Sequence, residues 1–119
     1  MKYEAVEPHD RVDILSVIFD RQSPHLEKVK YLLSSIHFHE ADFFVEIFKR
    51  IMDGDDILLK IQALRAIEEA MQSKGTSIGA SIFSAEIRKF TDNHPEYSNE
   101  MKEILSEVRY FQTLYSARD

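Results

Sequence analysis

A chain of 119 residues is the length of one domain and buries roughly two thirds of the surface its unfolded form exposes, enough for a core held by packing alone. Cysteine is absent, which excludes disulfides, thiolate metal sites and a cysteine nucleophile and fits a reducing compartment. The net charge of −6 argues against a nucleic-acid partner, whose affinity comes from Lys and Arg neutralising phosphates, and favours a partner with a basic or neutral surface.

Gly and Pro number only 3 each, they fall between periodic segments, and no stretch alternates apolar and polar residues as a half-buried strand does. The expected fold class is therefore all-α, with residues 1–119 forming a single helical domain and residues 1–7 an irregular N-terminal segment. Pro8 opens a first helix carrying Val12, Leu15, Ile18 and Phe19. Ser23 is placed to cap a second helix, with Pro24 at its first position, running to about Ile36. His37-Phe38-His39 reads as a turn. Phe44, Ile47, Phe48 and Ile51 mark a third helix ending at Asp53-Gly54.

Asp55 or Asp56 caps a fourth helix that runs to about Lys74, with Gly75 as its stop. Thr76 or Ser77 caps a fifth, with Phe83, Ile87 and Phe90 on one face, broken at Asn93-His94-Pro95. Ser98, with Glu100 in the first turn, opens the sixth, whose Met101, Ile104, Leu105, Val108, Phe111 and Tyr115 form a 3.6-residue stripe. Six helices with short connections are expected to pair as three antiparallel hairpins. No apolar run reaches the length of a signal peptide or a membrane span, so the expectation is a cytoplasmic protein with no membrane partner.

On one helical wheel the even-numbered helices align Val29, Ala63 and Ile104, then Leu33, Ile67 and Val108, then Ile36, Ala70 and Phe111. The window from Asp53 to Ala70, with an acidic turn, Leu59-Lys60, then Ala63, Leu64 and Ile67, resembles the second helix of a HEAT repeat. That resemblance implies a short HEAT-like α-solenoid in which each hairpin buries its apolar face against a neighbour. Lys60 stands where the family usually has arginine, Leu26 and Met101 occupy the aligned positions, and a first-helix proline is missing. An irregular helical bundle is the rival architecture. Lys60 itself falls inside the apolar arc of its helix, so its stem is expected to pack while its ammonium pairs with Asp53, Asp55 or Asp56.

Three constellations invite a chemical reading. Gly75-Thr76-Ser77-Ile78-Gly79 matches a nucleophile elbow, with Asp92 and His94 following in hydrolase order, but that motif needs a strand ahead of the serine and a helix precedes it here. Gly75 as helix stop and Ser77 as cap account for the same residues. His37, His39, Glu40 and Asp42 are the densest group of potential ligands, without the cysteine pairs or i, i+4 histidines of zinc sites. Asp53-Gly54-Asp55-Asp56 fails as a calcium loop because the glycine falls second and the twelfth position is Leu64. Glu68, Glu69, Glu100, Glu103 and Glu107 read as solvated helix charge. No cofactor or metal is expected.

Opposite the apolar stripe of the even-numbered helices stand Tyr31, Leu58, Ile61, Arg65, Glu69, Glu103 and Tyr110. Tyrosine and arginine are enriched at binding hot spots, and in stacked repeats this inner surface is the usual binding face. These seven residues are the candidate contact set for another protein, with cover by the N-terminal segment or by a second copy of the chain as the competing account of Leu58 and Ile61. The expected role is recognition, of the kind performed by a stoichiometric inhibitor or immunity-type protein. The alternatives are a small hydrolase or metal-dependent enzyme using Ser77 or His37 and His39, and a self-assembling structural subunit.

Overall fold

The computed structural model describes residues 11–37, 42–74 and 79–116, and every regular element among them is helical. The helices are α1 (Arg11–Ile18), α2 (His25–Ser35), α3 (Phe43–Asp53), α4 (Ile57–Lys74), α5 (Ala80–Asn93) and α6 (Ser98–Ser116), with a 3-10 turn over Pro95–Tyr97 leading into α6. The chain divides into two compact units, Met1–Gln62 and Ala63–Asp119. Residues 1–7 and Pro8 lie outside the described residues.

In the first unit α1 packs on α2 and α2 on α3. The expected α3 stripe of Phe44, Ile47, Phe48 and Ile51 is buried, joined by Phe43 and Met52. Arg11 ties α1 to α3: its guanidinium donates to Glu46 at 2.7 Å and lies 4.6 Å over the Phe43 ring. The helix faces toward the core differ from expectation in α1 and α2. Val12 is 71% exposed and Leu15 half-buried, while Ile14 and Ile18, one turn apart, are fully covered. In α2 the buried set is Leu32, Ser35 and Ile36, and Leu33 is exposed. Ser35 can join that face because its hydroxyl donates to the Leu32 carbonyl within the helix, which removes most of the cost of burying it.

The α1–α2 turn forms by other means than the expected serine cap. Asp20 organises the α1–α2 connection: its carboxylate accepts from the Gln22 N–H at 2.9 Å and from the Ser23 hydroxyl at 3.3 Å. With its hydroxyl engaged there, Ser23 does not cap α2; Pro24, in an extended conformation, occupies the N-cap instead. At α4 the expectation resolves to Asp56, whose Oδ1 accepts the Leu59 N–H at 3.0 Å, an N-cap bond to the third helical residue. The other carboxylate oxygen of Asp56 lies 3.9 Å from the Lys28 ammonium. Lys60 is half-buried and makes no ion pair among the described residues, because Asp56, one turn before it, is turned to the cap and to Lys28.

In the second unit α5 packs on α6, with the 3-10 turn against both. Phe83, Ile87 and Phe90 of α5 and Met101, Val108, Phe111 and Tyr115 of α6 are buried, while Ile104 and Leu105 are half-buried. Ala63, Ile67 and Ala70 of α4 are buried. Ser98 is already helical and continues the 3-10 turn, so α6 is entered through Pro95 and not through a serine cap. Pro95 fixes φ at the start of that turn and has no N–H to leave unpaired. The Phe90 ring packs on His94 at 4.7 Å and on Tyr97 at 5.9 Å, which closes the corner.

Gly75, Thr76 and Ser77 lie outside the described residues, and the N-cap of α5 is Gly79, at φ 87°. A side chain there would meet the steric penalty of the left-handed region. Gly54, which ends α3, has φ −85° and ordinary space for a Cβ, 3.4 Å from the Ile51 carbonyl oxygen. Gly79→Ala is therefore expected to cost about 1–2 kcal/mol in urea unfolding, whereas Gly54→Ala changes stability by less than about 1 kcal/mol. Ile67→Ala, at a fully covered site, is expected to cost about 2–5 kcal/mol through the cavity it leaves.

Candidate functional site

Within the second unit, the α4 segment from Arg65 onward and the first half of α6 enclose an open groove of about 890 Å³. Helical spacing accounts for its lining. Arg65 and Glu68 lie three apart on α4, and Glu100, Glu103 and Glu107 follow one another at three and four residues on α6, so each set shares a face. Asn99, Ser106 and Ile104 complete the walls. Four carboxylates and one guanidinium thus line the groove, which carries a formal excess of negative charge.

Arg65 Nε donates to Glu100 Oε2 at 2.5 Å. That hydrogen bond, and secondarily the charge of Glu100, hold the Arg65 guanidinium above its ordinary pKa, so it stays cationic throughout the working pH range. The Arg65 side chain is more than half exposed, so the pair orients α4 and α6 side chains without adding much to stability.

The seven residues expected to form one ridge do not all reach this groove. Arg65 and Glu103 line it. Glu69 is exposed on α4 beside Glu68, and Tyr110, at 59% exposure, stands on α6 with its ring edge-on to Phe111 at 5.3 Å. Tyr31, Leu58 and Ile61 belong to the first unit. Tyr31 is half-buried, Leu58 is 62% exposed, and Ile61 is only 7% exposed. Ile61 is thus corrected from contact candidate to core residue. Leu58, three residues earlier on α4, stays exposed, so the difference between the two lies in what packs on each and not in their spacing along the helix.

The groove also draws in Glu68, Glu100 and Glu107, which helix charge alone left as solvated surface. The signal for them was the i, i+3, i+7 spacing of Glu100, Glu103 and Glu107; the pairing with Arg65, 35 residues away, had no local signal. Of the chemical constellations, Ser77, His39 and Glu40 lie outside the described residues, and His37, Asp42 and Asp92 are exposed. His94 Nδ1 lies 3.8 Å from a Glu96 carboxylate oxygen. Among the described residues no three His, Asp or Glu side chains are grouped as metal ligands, and no helix is long and apolar enough to cross a membrane. Neither a family model, a curated protein nor a solved structure matches this chain.

A double-mutant cycle on Arg65→Met and Glu100→Gln is expected to give a coupling of about 0.2–1 kcal/mol that shrinks with added salt. Strictly additive effects on urea unfolding would show that the two side chains do not interact.

Proposed function

We propose that this protein is an interaction module that binds a partner protein through the α4–α6 face of its second unit, with a basic segment of the partner seated in the groove. The observation that carries this reading is the groove itself, lined by Glu68, Glu100, Glu103 and Glu107 and by a single arginine. A surface of one sign steers a partner of the other sign and raises its association rate. Tyr110 supplies an exposed aromatic on the same helix, the residue type that most often anchors an interface. An open groove walled by carboxylates suits occlusion of a partner better than bond-making, because catalytic carboxylates require a dry pocket or a close like charge. The role proposed is that of a stoichiometric inhibitor and not an enzyme. The lack of cysteine accords with a reducing compartment, and the cytoplasm is the compartment proposed.

The test is affinity capture from the source organism followed by titration of the purified partner. Glu103→Lys and Tyr110→Ala are each expected to weaken binding by about 1–3 kcal/mol with helicity and unfolding midpoint unchanged, and binding of the parent protein should weaken as salt rises. Ser81→Lys, exposed on α5, serves as the control and should bind normally. A partner that binds the Glu103 and Tyr110 variants as tightly as the parent defeats the assignment of this face.

A further inference from the structure

One side of α6 carries two kinds of chemistry in a single line. Glu103, Glu107, Tyr110 and Leu114 follow at intervals of four, three and four residues, so they fall within about 60° of the helix circumference. Tyr110 is 59% and Leu114 39% exposed, although Val108, Phe111 and Tyr115 on the inward side are buried. The outward aromatic is braced from within. Phe111 stacks on Tyr115 at 5.7 Å, and the Tyr110 ring stands edge-on to Phe111 at 5.3 Å. An aromatic already held in place loses little conformational freedom when a partner covers it.

Charge on this face is of one sign. Arg65 engages Glu100, whereas Glu103 and Glu107 make no ion pair among the described residues. The cations Lys102 and Arg109 of α6 sit roughly a third of a turn from the centre of the face. Two glutamates one turn apart repel each other, and a cation brought against them relieves that repulsion. A phosphate backbone or an anionic bilayer is repelled by the same pair.

Spacing selects the conformation of a segment that lies along this line. At about 1.5 Å per residue the four side chains are separated by about 6, 4.5 and 6 Å, or about 16.5 Å in all. A second helix with the same four-three-four pattern stays in register throughout. An extended segment advances about 6.6 Å between side chains on one side, or about 20 Å over three steps, and is out of register by its last contact.

We infer that this face of α6 takes an amphipathic helix of the partner, with two aliphatic side chains against Tyr110 and Leu114 and two cations, on the next turns, against Glu107 and Glu103. The inference rests on the reading of the α4–α6 face as a protein-binding surface and names the segment that fits it. Charge complementarity sets which end carries the cations. An antiparallel arrangement places them in the last turns of the partner helix, where its own macrodipole favours positive charge.

The experiment titrates three peptides into the full chain at low salt and follows amide chemical shifts. The first is an alanine-based helix with leucines on two successive turns and lysines on the next two of the same side. The second carries the same residues scattered round the helix, and the third is the first with a proline at its centre. Saturable shifts centred on residues 103–114 are expected with the first peptide, and binding weaker by on the order of tenfold with the other two. Leu114→Ala and Glu107→Gln, both changes on the outward side, should each weaken the first peptide several-fold. Absence of saturation, equal binding of the scattered or proline peptide, or unchanged affinity in Leu114→Ala overturns the inference. Equal binding of all three peptides, alongside loss of the captured partner in Glu103→Lys, overturns the helical segment and leaves the binding face standing.

Discussion

Burial of apolar stripes along short helices is the constraint on which everything else rests. The helices run from 8 to 19 residues, and at such lengths an isolated helix in water is marginal, so each persists only because a neighbour covers its stripe. With no cysteine in the chain, packing must do this without covalent help. Ile47 and Phe48 of α3 are wholly covered in the first unit, and Phe83 and Ile87 of α5 nearly so in the second. The turns then serve to deliver the helices at angles that keep these stripes inward. Asp56 accepts an N–H that entry into α4 would otherwise leave unpaired and Pro95 has none to leave, while Asp20 ties the turn ahead of α2 and Gly79 supplies the left-handed φ at the entry to α5.

The two units use charge differently. In the first, cations are set against aromatic faces and carboxylates: Arg11 over Phe43 and on Glu46, Arg50 over Phe19, Lys28 near Asp56. Such contacts let long cationic side chains cover apolar surface with their stems while their heads remain polar. In the second unit four carboxylates and one guanidinium line the α4–α6 groove. Like charges held at that spacing weaken the helices that carry them, so these carboxylates do not contribute to stability.

Asp56 shows how one side chain links these levels. Its cap fixes where α4 begins, and the direction it takes in doing so leaves Lys60 without the carboxylate that its place on the helical wheel promised. It also leaves Lys28 near an acceptor but not bonded to it. A local backbone requirement thereby decides which lysine the carboxylate approaches.

The amino-acid sequence by itself determined that the described chain is helical, and it determined most helix ends. Those properties are local: the 3.6-residue recurrence of Phe44, Ile47, Phe48 and Ile51, the stop at Asp53-Gly54 and the break at Asn93-His94-Pro95 depend only on neighbours along the backbone. The tertiary structure decided which way each helix turned. α1 buries Ile14 where Val12 and Leu15 were expected, and α2 buries Leu32 in place of Leu33. A rotation of about 100° per residue about a helix axis has no local cost, so only the surface opposite selects the buried face. The same holds for the candidate site. That Arg65 and Glu103 are exposed was legible from the wheel; that Ile61 is covered, and that Arg65 meets Glu100, depended on contacts between segments far apart in sequence. Pattern along a chain records what each residue can do, and packing chooses the partner it does it with.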